Sequence, residues 1–93
     1  MKNKRFAILL TLFAAAAQAE NVVQLGAYND QPSAQRQVAN AALAGVNAKV
    51  QTVQGENGSL LYRVRTDAMD NEQARQTQER LRENNIESLL LAK

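Results

Sequence analysis

Between Leu60 and Arg65 the chain runs Leu-Leu-Tyr-Arg-Val-Arg, and apolar and cationic side chains alternate there with period two. That spacing predicts a strand with Tyr62 and Val64 on one side and Leu61, Arg63 and Arg65 on the other. Two guanidiniums do not make a core, so the second side is expected to face water or a ligand, as one face of an antiparallel sheet can. The preceding Gly55-Glu56-Asn57-Gly58-Ser59 contains Asn-Gly, a strong short-range hairpin signal. Ahead of it, Ala48 to Gln54 alternates as a partner strand.

The flanking segments supply what such a hairpin needs to pack against. Val22 to Ala27 is a further strand candidate, with Val23 and Leu25 on one side and Gln24 on the other. Asp30 is placed to cap a helix and Pro32 falls in its first turn, where a missing N–H is harmless. This helix is expected to run to about Ala44, with Gly45 as the left-handed residue after it. Its Ala34, Val38, Ala41 and Ala42 give good helix propensity but a thin packing face. Asp70 and Gln73 have the spacing of a capping box for a second helix. Ala74 and Leu81 mark its buried stripe, and Asn84-Asn85 its end. Arg75, Glu79, Arg80 and Arg82 have the look of solvated i,i+4 pairing. Ile86 to Leu91 is expected to form a last strand, well buried because of its three leucines. Val38, Leu43, Leu81, Ile86 and Leu89 are the core candidates. The order β-α-β-β-α-β is α+β and ferredoxin-like: a four-stranded antiparallel sheet with two helices on one face. The halves Val22–Val53 and Leu60–Leu91 form a weak pseudo-repeat.

The first nineteen residues belong to a different kind of signal. Lys2, Lys4 and Arg5 precede an uncharged apolar run, Phe6 to Ala17, and Ala17-Gln18-Ala19 offers small residues for a signal peptidase. Residues 1–19 are therefore expected to be a cleaved secretory signal, and residues 20–93 the mature domain. The apolar run is short for a membrane span, and with no cysteine in the chain no acyl-lipid anchor is expected. Once cleaved, the chain would keep no stable membrane anchor. The full chain has 11 Lys+Arg against 9 Asp+Glu, but without the three leader cations eight face nine. Nucleic-acid binding, which rests on phosphate neutralisation, loses its support. A domain with neither Cys nor His lacks the usual nucleophiles, bases and soft-metal ligands, so neither catalysis nor a cofactor or metal is expected. Asp67 and Asp70 read as a turn residue and a helix cap rather than a glycosidase pair.

Val23-Gln24-Leu25-Gly26-Ala27-Tyr28 resembles the V-Q-x-G-[SA]-[FY] opening of SPOR (sporulation-related) domains, and Leu61-Tyr62-Arg63-Val64-Arg65 resembles their L-Y-R-V-R strand. The resemblance covers about Val22 to Ala92. It implies a peptidoglycan-binding module of the bacterial envelope, which takes denuded glycan strands, enriched at the division septum, over the open sheet face. Carried over position by position, it implies ligand-binding roles for Gln24, Ala27, Leu61, Arg63 and Arg65, with Lys49 and Gln51 as neighbours. Two departures stand out. Thr66-Asp67-Ala68-Met69 replaces the family's V-G-P-F, placing Asp67 where it can pair with Arg65 and compete with a ligand. Leu61 replaces an aromatic found in some members.

Amide and guanidinium donors suit sugar hydroxyls and N-acetyl carbonyls, and arginine's fork suits the lactyl carboxylates of muramic acid. The expected function is thus non-catalytic glycan binding in the periplasm. The alternative is a periplasmic protein-interaction module of the division or cell-wall machinery that binds no glycan. RNA recognition on the same topology would need stacked aromatics on the central strands, whereas Tyr62 is expected to face inward.

Overall fold

Both helices are written by the same end chemistry, and the computed structural model, which describes residues 20–92, shows it twice. Helix α1 (Gln31–Leu43) starts at Asp30, whose side chain accepts the Ser33 N–H at 2.8 Å. Helix α2 (Asn71–Glu83) starts at Asp70, which accepts the Gln73 N–H at 2.8 Å while the Gln73 side chain accepts the Asp70 N–H in return. Each helix is 13 residues long and stops in a Schellman motif. In the first, Val46 N–H donates to Ala41 O and Gly45 N–H to Ala42 O, both at 2.9 Å. In the second, Ile86 N–H donates to Leu81 O at 2.9 Å and Asn85 N–H to Arg82 O at 3.0 Å. Gly45 (φ 82°) and Asn85 (φ 62°) occupy the left-handed position that ends each helix. The pseudo-repeat expected from the sequence is thus preserved in the caps. Replacing Asp70 with alanine is expected to cost about 1 kcal/mol. Thermal unfolding followed by circular dichroism should show the midpoint fall by about 4–8 °C.

The four strands are β1 (Asn21–Tyr28), β2 (Lys49–Gln54), β3 (Leu60–Arg65) and β4 (Leu89–Ala92). They form one antiparallel sheet in the order β2-β3-β1-β4, the ferredoxin-like arrangement expected, with β2 and β4 as its edges. The β2–β3 hairpin closes through Gly55 N–H to Ser59 O at 2.7 Å. The expected signal peptide, residues 1–19, lies outside the described residues.

Between the helices and the sheet, Val23, Leu25, Val64 and Leu81 pack with Val46 and with Ala34, Ala41, Ala48 and Ala74. Tyr28, Val38, Val50, Tyr62, Met69 and Ile86 close this core from its margins. Two of the expected core residues are not in it. Leu43 is 88% exposed, because two residues beyond Ala41 on a helix is about 200° away from the Ala34–Val38–Ala41 stripe. Leu89 is 61% and Leu90 47% exposed, because β4 is an edge strand and Leu89 pairs with Gln24 on the face away from the helices. The leucine run is therefore not well buried. Its strand starts at Leu89 rather than Ile86, since the Ile86 N–H is taken by the end of α2. The acidic and basic residues of α2 pair at i,i+3 rather than i,i+4, Glu72 with Arg75 and Glu79 with Arg82, and all four remain solvated. In each pair the arginine's hydrogen bond and charge draw the glutamate pKa below its ordinary range.

One irregularity positions the candidate site. Along β1, Gln24 pairs with Arg65 but Gly26 pairs with Val64, so the register slips by one residue at Leu25. This is a β-bulge, and it turns the rest of the strand over. Leu25, Gly26 and Tyr28 lie on the helix side, while Gln24 and Ala27 both lie on the open side. The Tyr28 ring lies across Gly26 so closely that a Cβ there would stand 2.6 Å from its Oη and 2.8 Å from two ring carbons.

Candidate functional site

The pairing of strands lays out the open face as a grid. One row runs Lys49, Arg65, Gln24 and Leu89 from β2 to β4, and the next runs Gln51, Arg63 and Ala27. Beside Gln51 and Arg63, Val53 faces Leu61. Beyond Gln24 and Leu89, Val22 faces Leu91. A polar, cationic band is therefore bordered by apolar pairs at both ends. Gln24, Ala27, Leu61, Arg63 and Arg65 all share this face, with Lys49 and Gln51 beside the arginines. Leu89 is an additional member that sequence reasoning assigned to the core, although period-two pairing opposite Gln24 would have revealed it.

The two arginines are in different states. Arg65 Nε donates to Gln24 Oε1 at 2.7 Å, so its guanidinium is held over β1. Burial, and after it the like charge of Arg63, lower its pKa, yet arginine remains protonated. Arg63 makes no ion pair or side-chain hydrogen bond among the described residues, and its Nε is buried without a partner. Its neighbours across the strands, Gln51 and Ala27, carry no carboxylate, and the single methyl of Ala27 leaves the space over β1 open. With its Oε1 already accepting from Arg65, the Gln24 amide keeps both NH₂ donors and one oxygen lone pair. The face is therefore rich in donors, and its chemistry fits ligands rich in acceptors or carrying carboxylates.

Asp67 does not pair with Arg65 as expected. Its Oδ1 lies 3.2 Å from Lys49 Nζ at the rim, because Lys49 is directly across β2 from Arg65 and the Arg65 guanidinium is turned to Gln24. Both groups are largely exposed, so the pair is weak and leaves the centre of the band uncovered. The departure at Thr66-Asp67-Ala68-Met69 is held in the fold by its own bonds. The Thr66 N–H donates to Val23 O at 3.0 Å, and Thr66 Oγ1 accepts the Val23 N–H at 3.1 Å. Met69 and Asn21 exchange backbone bonds of 2.7 and 2.8 Å. Among the described residues no group of three acidic, His or Cys side chains is arranged to hold a metal, and no helix is long and apolar enough to cross a membrane.

The fold is shared with two solved structures. The solution structure of the peptidoglycan binding domain of the B. subtilis cell wall lytic enzyme CwlC superposes with a TM-score of 0.65 at 20% identity, covering 83% of this chain and 92% of that one. The crystal structure of the RlpA SPOR domain from Pseudomonas aeruginosa gives a TM-score of 0.67 at 22% identity, covering 76% of this chain and 96% of that one. At these identities the likeness speaks for the fold alone. No curated protein matches the sequence. The family model for the SPOR domain matches residues 18–92, most of the chain, with both motif strands inside the match, and on that ground the chain belongs to the SPOR domain family.

Proposed function

We propose that the chain is a non-catalytic, secreted peptidoglycan-binding module that takes denuded glycan strands of the septal wall over its open sheet face. The observation that carries this reading is the unpartnered Arg63, set between Gln51 and Ala27 beside the Arg65–Gln24 pair. A strand stripped of its stem peptides exposes muramic-acid carboxylates, and a guanidinium fork with no carboxylate of its own is suited to them. N-acetyl carbonyls and hydroxyls would take the remaining donors of Gln24, Gln51 and Lys49. The apolar pairs Val53–Leu61 and Gln24's neighbour Leu89 offer sugar rings a surface in place of an aromatic. Both related structures are of domains named for the cell wall or for this family, which supports the same ligand class.

Co-sedimentation of residues 20–93 with purified sacculi, before and after amidase treatment, tests it. Binding should rise after treatment. Removing a charge-assisted hydrogen bond of about 1.5–3 kcal/mol weakens affinity roughly tenfold to a hundredfold, so Gln24→Ala with Arg63→Ala should release the domain without changing its circular dichroism. Pelleting that ignores both the amidase and the double substitution would point instead to docking on a wall-associated protein.

A further inference from the structure

Among the described residues the sheet has two free edges, and they are protected very differently. β2 presents Lys49, Gln51, Thr52 and Gln54, a polar strand of the kind that discourages further pairing. β4 is Leu-Leu-Leu-Ala, with no charge, no proline and no bulge, and among the described residues it pairs only with β1. It is apolar on both faces: Leu89 and Leu91 belong to the open side, and Leu90, opposite the buried Val23, to the helix side. Despite this, Leu89 is 61% and Leu90 47% exposed.

Whatever covers such an edge must be an extended strand, because the edge offers backbone N–H and C=O groups, and it must be apolar on both its faces. Among the described strands only β4 itself has a free edge and that pattern. We propose that two copies of the chain pair antiparallel through β4, with Leu90 on the two-fold axis.

Side-chain alternation fixes that register. Directly opposed residues of an antiparallel pair point to the same face, so a continuous sheet with both sets of helices on one side requires residues of equal parity to face each other. Centring on Leu90 sets Leu89 against Leu91 twice over and Ser88 against Ala92. This is the alignment that matches every leucine with a leucine. The result is an eight-stranded sheet whose two open faces form one surface. Measured across the strands, the two Arg63 positions are then five spacings apart, about 24 Å at ~4.8 Å each, and they are further offset in opposite directions along the strands because Arg63 pairs with Ala27, beyond the Val23–Leu90 row. The pairing is independent of the proposed ligand, but it would make the open-face binding bivalent and raise avidity for a ligand long enough to span both sites.

Sedimentation velocity of residues 20–93, which hold every element of the fold, tests this from about 10 μM to about 1 mM. The weight-average mass should approach twice that of the monomer. Leu90→Lys sets two ammonium groups against each other on the axis and should leave a folded monomer across the whole range. Leu60→Lys, equally exposed but off this edge, should dimerise normally. Leu90→Cys should cross-link on mild oxidation faster than Leu43→Cys, although Leu43 is the more exposed of the two. A chain that remains monomeric at the highest concentration, or a dimer that Leu90→Lys leaves intact, overturns the proposal.

Discussion

Leu81→Ala should leave the domain without a stable folded state near room temperature. Leu81 is 0% exposed and is among the largest fully buried side chains, together with Val23 and Val64. Much of the surrounding core is alanine, at 34, 41, 48 and 74, so few large neighbours are available to move into the space it would leave. Truncating a buried leucine costs about 2–5 kcal/mol, depending on how far the site collapses. A single core in a domain of this size supplies only about 3–5 kcal/mol. Alanine is the better helix former, so any loss is packing and not propensity. Thermal and urea unfolding should show a transition displaced by tens of degrees or no cooperative transition at all, while Leu81→Met, which keeps the volume, should cost less than about 1.5 kcal/mol. A midpoint within a few degrees of the parent would show that the alanine layer closes over the gap.

The second large effect is expected at a residue without a side chain. In Gly26→Ala the new methyl meets the Tyr28 hydroxyl and ring well inside contact distance, and the ring must leave its place against the core. Overpacking of this kind costs about 1–3 kcal/mol. The two residues should therefore be strongly coupled. With Tyr28→Ala already in place, Gly26→Ala should cost much less, and the double-mutant cycle should return an interaction energy of about 1 kcal/mol or more. Additive losses would mean that Gly26 is required for its backbone and not for the ring above it.

The order of elements was legible because their boundaries are set by local chemistry. Asp30, Pro32 and Gly45 delimit one helix, Asp70, Gln73 and Asn85 the other, and Asn57-Gly58 closes the hairpin. Contacts set by distant residues were not legible. Leu89 has the composition of a core residue, and only its pairing with Gln24 across an edge puts it in the open. Leu43 was placed in the core by residue type, although its angle on the helix excludes it. Asp67 was assigned to its sequence neighbour Arg65, whereas the register of β2 against β3 brings Lys49 to it. Within the candidate site, alternation alone grouped Leu61, Arg63 and Arg65. Ala27 came from the family resemblance, because counting by twos from Gln24 turns it towards the helices.

That last discrepancy has a consequence for comparing chains. Alternation works as a clock with two beats, and the bulge at Leu25 drops one, so β1 is read in two phases joined at the glycine. A motif that spans this point is a marker of the phase change as much as of identity. When such a strand is grafted, aligned or redesigned, the count of inward and outward positions has to be restarted at Gly26. Otherwise every assignment after it is inverted.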